Sequence, residues 1–259
     1  MTSAVSSAWD WLGGVVDLVR LDLVQFFRNK LVVVATLLTS VSMILSFGLG
    51  AARMPGFEGS GDSYFAFIFP GILGVGIMFS CTYTIGYAVI VDRQRRTIED
   101  IVLSPLSFAG FVVGRLLGMV LKCALQFLLS MGLALALFDV RVESFPLLAY
   151  GMLTQSLAFA GLGILVATFT TEVSFSLLTN VVIVPLTYFC GVFFPVEGFG
   201  RLGPVLARLP LSVNIDVLRD AMTGQPSRFI TSSLWLSAAY ALVAVVGAMA
   251  VFRRRVQRG

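Results

Sequence analysis

Nine consecutive positions, Asp92-Arg93-Gln94-Arg95-Arg96-Thr97-Ile98-Glu99-Asp100, carry six charged side chains in a chain where only 12% of residues are charged. Carboxylates and guanidinium groups at such density suit charge pairing with a complementary protein surface, which fixes register and partner choice. They do not suit acid/base catalysis, because the chain contains no histidine at all, which also removes haem ligation and most zinc sites. Cys81, Cys123 and Cys190 all fall in apolar stretches and are odd in number, so they read as buried, inert thiols rather than a disulfide framework. No metal site is expected. No Gly-x-x-x-x-Gly-Lys-Ser/Thr loop occurs, so the chain holds no nucleotide in the P-loop manner and is expected to bind no cofactor.

The charged run continues into Ile101-Val102-Leu103-Ser104-Pro105-Leu106-Ser107. Ile98, Ile101 and Val102 fall on one side of a short helix and the charges on the other. Pro105 disfavours helical geometry at Ser104 and so ends it, while Ser107 can cap the next helix. A charged amphipathic helix between two apolar stretches is a docking feature for a soluble partner. The plainer alternative is a basic loop with an incidental amphipathic turn.

The elements that must position this helix are membrane spans. Of the 259 residues, 58% are hydrophobic, and the mean hydropathy is +0.94, well outside the soluble norm of about a quarter charged residues. Uncharged apolar stretches recur at about 31–52, 64–91, 108–138, 146–169, 173–192 and 230–252, each near the length needed to cross a ~30 Å hydrocarbon layer at ~1.5 Å per residue. The spacing therefore predicts an all-α integral membrane protein with six transmembrane helices in one domain over residues 31–252. Residues 1–30 are predicted to form a cytoplasmic N-terminus with an interfacial amphipathic helix. Leu12, Val15, Val16, Val19, Leu23, Phe26 and Phe27 fall on its apolar side, with Asp10, Asp17 and Arg28 opposite. Asp10, Asp17 and Asp22 argue against a cleaved signal peptide. Residues 253–259 form a basic tail.

Six crossings place both termini on one side. Eleven of the 18 basic residues fall on the face carrying the termini and six on the other, with Lys122 inside a span. The positive-inside rule makes the termini cytoplasmic. Because the basic residues sit at the ends of apolar segments, membrane topology explains the net charge of +4 and nucleic acid is not an expected partner.

Between the fifth and sixth spans, Gly191, Phe193, Phe194, Pro195, Leu209, Pro210, Asp216 and Arg219 suggest two short helices, Gly200 to Leu209 and Ser212 to Met222, separated by Pro210 and dipping into the outer membrane half. Asp216 and Arg219 are spaced to pair. The alternative is an exposed loop with solvated charges. Lys122 lies well inside the third span, seven residues past Arg115; either its long side chain snorkels to the interface or it works within the membrane. Pro185 is expected to kink the fifth span, for gating or for packing. Phe79, Tyr83 and Tyr87 in span two, and Tyr188 and Phe189 in span five, either face lipid and neighbouring helices or line a path for an apolar or amphipathic substrate.

These residues together resemble the type 2 ABC transporter permeases, the ABC-2 family of drug, lipid and polysaccharide exporters. Arg95, Thr97, Glu99, Ser104 and Pro105 match the Arg, small polar, Glu and Ser/Thr-Pro pattern after the family's second span. Gly191-Val-Phe-Phe-Pro195, Leu209-Pro210 and Asp216-Val-Leu-Arg219 are similar to its Ser-Gly-x-x-Phe-Pro, Asn-Pro and Asp-x-x-Arg positions. Cys190 and Leu209 depart from the Ser and Asn common there. The spacing is most similar to the daunorubicin-type antibiotic-resistance permeases. The resemblance implies that Arg93, Arg95, Arg96, Thr97, Glu99, Asp100, Ser104 and Pro105 belong to a coupling helix docked on a separate ATPase, which binds ATP and magnesium. It also implies a re-entrant hairpin at the outer gate. Two permeases, identical or related, would stand beside two ATPase subunits in the cytoplasmic membrane and export a hydrophobic or amphipathic substrate. A different class, a membrane scaffold or sensor that recruits a soluble partner without transport, fits the same charged helix. An embedded enzyme or autonomous channel has less support, since neither clustered intramembrane carboxylates nor a filter motif is evident.

Overall fold

The computed structural model describes residues 2–51, 64–95, 108–138, 140–224 and 230–256, and among them every regular element is helical. Helix α1 covers Thr2–Arg28 and α2 Lys30–Ala51, separated only by Asn29. Helix α3 covers Tyr64–Gln94, α4 Phe108–Leu137, α5 Phe145–Phe169 and α6 Glu172–Phe189. A 3-10 turn over Val196–Leu202 leads into one turn of helix, α7 at Gly203–Leu206, then α8 at Pro210–Thr223 and α9 at Ile230–Val256.

Five of these helices are long and apolar enough to cross a membrane: α3, α4, α5, α6 and α9. Helix α2, where the sequence places its first span, has 22 residues, and its described apolar part is Val41–Gly50.

Helix α5 is the hub, packed on α3, α8 and α9. Between helices in lipid no hydrophobic drive exists, so close backbone approach through small residues does the work. At Gly161 an added Cβ would lie 2.7 Å from the Ala244 carbonyl carbon of α9, and at Gly163 2.7 Å from the Thr82 carbonyl oxygen of α3. Phe69, Phe159, Phe175, Ile183, Leu211 and Ile215 are fully buried around these contacts. Helix α6 lies at the edge, with Val173, Leu177, Val181 and Tyr188 exposed along one stripe.

Three details differ from the sequence expectation. Helix α6 ends at Phe189, three residues short of position 192, because Gly191 adopts φ 72, a left-handed conformation natural to glycine that stops a helix. Pro210 does not separate two helices; it opens α8, where its missing N–H costs nothing and its fixed φ is preorganised. In α1 the face turned to α4 carries Val15, Leu18 and Asp22, leaving Leu12, Val16, Val24 and Phe27 exposed. The helix thus has a protein face as well as an apolar outer face.

Candidate functional site

One end of the bundle gathers charge. Arg115 of α4 donates from Nη1 to Asp22 Oδ1 of α1 at 2.8 Å and from Nη2 to Asp92 Oδ2 near the end of α3. Two turns further into α4, the Lys122 ammonium sits 2.5 Å from Asp22 Oδ2 and 5.7 Å from the centre of the Phe26 ring. All four charged residues are buried, and two carboxylates balance two cations. Paired geometry of this quality is what allows charges to stay out of water. The spacing Arg115, Gly118, Lys122 puts both cations on one face of α4. Gly118 leaves the room between them: a Cβ there would stand 2.6 Å from Asp22 Oδ2.

Asp92 and Arg93 carry this cluster to the start of the charged segment. Arg93 Nη1 donates to the carbonyls of Ala167 at 2.8 Å and Thr170 at 3.1 Å, binding the C-terminus of α5, where a cation also meets the helix dipole. Its guanidinium therefore serves the bundle rather than facing outward. Arg95 is exposed. Arg96, Thr97, Glu99, Asp100, Ser104 and Pro105 lie outside the described residues.

At the opposite end, the segment after α6 is tied to α8 and α3. Arg219 Nη2 donates to the Gly191 carbonyl at 2.9 Å, its guanidinium lies 4.1 Å over the Phe67 ring, and Nη1 is 3.6 Å from Asp216 Oδ1. The Tyr64 hydroxyl donates to the Phe193 carbonyl at 3.0 Å, and the Phe193 ring packs on Phe47 and Tyr188. Burial pushes the Asp216 carboxyl up to about 6, with Arg219 opposing and Asp220 and Glu197 reinforcing. Burial likewise lowers the Arg219 pKa, against the pull of the same three acids. So Gly191, Phe193, Asp216 and Arg219 assemble into one unit. Phe194 is exposed, Pro195 precedes the 3-10 turn and Pro210 opens α8.

The aromatic residues divide into two groups. Phe79, Tyr83 and Tyr87 stack along α3 with centroids 5.9 and 6.1 Å apart, and Phe175 of α6 meets both tyrosines edge-on. Tyr188 and Phe189 belong to the other end, where Phe189 packs on Phe199. Lys122 joins neither group, being held by Asp22.

A family model described as ABC-2 type transporter matches residues 16–223. The chain belongs to the ABC-2 type transporter family. Nodulation protein J of Neorhizobium galegae is 32% identical over 245 residues, covering 89% of this chain and 90% of that protein. Nodulation protein J of Rhizobium meliloti is 28% identical over 241 residues, 89% and 90% of the two chains. The inner membrane transport permease YadH of Escherichia coli K12 is 24% identical over 154 residues, 56% and 60%. ABC-2 permeases normally work with an ABC ATPase and are generally non-catalytic themselves.

Asp22, Asp92 and Arg115 were not legible as a site from sequence. Their signal was present in part, as charges inside or bordering apolar stretches, but Asp22 and Arg115 lie 93 positions apart. Two buried polar links were also missed: Thr154 Oγ1 to Asn214 Oδ1 at 3.0 Å, joining α5 to α8, and Gln155 Nε2 to the Gly74 carbonyl at 2.6 Å, joining α5 to α3.

Proposed function

We propose that this chain is the transmembrane permease of an ATP-driven exporter for hydrophobic or amphipathic molecules, powered by a separate ATPase that docks on residues 95–105. The observation that carries the reading is the ABC-2 match over residues 16–223 in a chain without any nucleotide-binding loop. The permease then supplies a pathway, and the partner's nucleotide cycle shifts the populations of its inward-open and outward-open states. The buried Asp92–Arg115–Asp22 cluster supports this assignment, because it roots the docking segment in three helices at once. A push on that segment is thereby felt by α1 and α4 as well as α3.

In the proposed arrangement α2 joins the five apolar helices as a sixth span, and both termini are cytoplasmic. The segment from Gly191 to Thr223 re-enters the outer half of the membrane; burial of ten of the 14 residues of α8 supports this over a solvated loop. A second permease copy and two ATPases complete the complex, a stoichiometry carried by the resemblance. Drug and lipid classes of cargo, antibiotics included, fit the apolar interior, the glycan class is carried by the resemblance, and the cytoplasmic membrane fits the basic bias.

The test is co-purification. Tagged permease, co-expressed with an ABC ATPase from the same organism, should retain that ATPase in detergent, and Glu99→Lys should reduce recovery at least severalfold by turning an attractive contact repulsive. Full recovery with Glu99→Lys, and equally with Arg95→Glu and Arg96→Glu, would remove the docking assignment.

A further inference from the structure

A cavity of about 470 Å³ opens midway along the bundle between α2, α3 and α4, in the size range of small-molecule sites. Its walls are apolar, with Ile44, Ile72 and Phe127 among them, while Ser80, Thr84, Gln126 and Ser130 bring neutral hydroxyl and amide groups. No acidic or basic side chain lines it among the described residues. The nearby cation, Lys122, is committed to Asp22 at 2.5 Å. Phe79 and Tyr83, the first two rings of the α3 stack, form one side of the opening.

We propose that this cavity binds an uncharged single-chain amphiphile, its apolar body on the aliphatic walls and its hydroxyl or amide groups on the serine, threonine and glutamine side chains, as the exported cargo. A charged headgroup would lie at the depth of the mid-span residues with no counter-ion, which is costly. A wholly apolar guest would leave the polar wall groups facing hydrocarbon. The volume limits the guest to drug-like size, smaller than a two-chain phospholipid. This assignment rests on the exporter reading for its cargo role, though the binding itself does not.

Gly76 supplies the means of testing it. The residue lines the cavity, and a Cβ added there would meet nothing closer than Gln126 Nε2 at 3.7 Å, so Gly76→Leu fills the space without striking backbone and favours the helix. The purified permease is reconstituted in phosphatidylcholine vesicles with a diazirine-bearing analogue of monolaurin, irradiated, and the labelled peptides are mapped. Label is expected on the cavity-lining parts of α3 and α4, and excess monolaurin should displace it. Dodecanesulfonate and dodecyltrimethylammonium, which carry the same chain with a charge, should need about a hundredfold more. Gly76→Leu should lose the cavity label while keeping the background label on exposed α6 residues such as Val181. Label spread evenly over lipid-facing positions, equal competition by the charged analogues, or unchanged labelling of Gly76→Leu would each overturn the site. With the ATPase added, monolaurin should stimulate hydrolysis in the parent and not in Gly76→Leu. Labelling at the cavity without stimulation, in a complex whose hydrolysis is otherwise coupled to export, would assign it to a resident bilayer lipid and overturn the cargo role. Absence of any ATPase partner would instead overturn the exporter reading and leave the binding result standing.

Discussion

Replacing Arg115 by Gln attacks the joint between α1, α3 and α4. In the parent, Arg115 bonds Asp22 at 2.8 Å and also Asp92, while Lys122 holds the other oxygen of Asp22 at 2.5 Å. The four charges sum to zero. Arg115→Gln leaves a net negative cluster, and Asp92 loses its only ion-pair partner among the described residues. All these side chains are at most 12% exposed, so water offers little relief. Removing one partner of a buried pair costs about 3–5 kcal/mol, a large part of the roughly 5–15 kcal/mol that holds a domain folded. The informative comparison is Asp92→Asn/Arg115→Gln, which deletes one charge of each sign and keeps the Asp22–Lys122 pair. It should recover most of the loss, to within about 1 kcal/mol of the parent, because a neutralised pair leaves no stranded charge. Equilibrium unfolding in bicelles titrated with sodium dodecyl sulfate, followed by tryptophan fluorescence, measures both. A single variant within about 1 kcal/mol of the parent, or a double variant no better than the single, would refute the reasoning.

Gly118→Leu should be destabilising by about 1–3 kcal/mol, since its Cβ would lie 2.6 Å from Asp22 Oδ2 and the longer chain must push α1 aside; protease cleavage within α1 should accelerate accordingly. Asp216, raised from 3.8 to about 6 by burial, binds its proton more tightly folded than unfolded. Its contribution to stability is therefore full below pH 3.8 and lost as pH rises to about 6, a change on the order of 2–3 kcal/mol. Asp216→Asn should flatten that part of the unfolding-versus-pH curve, and an unchanged slope would show that the carboxyl is not held this way. Reporter fusions at Gly59 and Gly259 should report opposite sides of the membrane, with agreement between them contradicting the proposed crossing number.

Five of the six expected spans were legible as long apolar helices because a helix in lipid needs a long uncharged run, and such runs have few alternatives. The bounds of α4 and α5 agree with the sequence to within a residue or so. Local rules reached less far where a residue serves two helices. Pro210 looks like a breaker in one dimension, yet it opens α8 because the chain before it already turns. The amphipathic pattern of α1 marked an exposed apolar face but not the second face on which Asp22 meets α4, since an aspartate there reads as polar until its partners are known. At the end of the bundle opposite the charged cluster, the Asp216–Arg219 pair followed from helical spacing, whereas the bond from Arg219 to Gly191 depends on the turn after α6.

The central claim, that a separate ATPase drives cargo through this permease, is tested most directly by flux. Inverted vesicles containing the permease and its ATPase, loaded from outside with a neutral fluorescent amphiphile, should accumulate it when given ATP and magnesium. They should fail to do so with a non-hydrolysable nucleotide, and with the permease carrying Glu99→Lys. Accumulation that is equal with and without hydrolysis, or hydrolysis that proceeds without any accumulation in the parent complex across uncharged amphiphiles, would contradict the account.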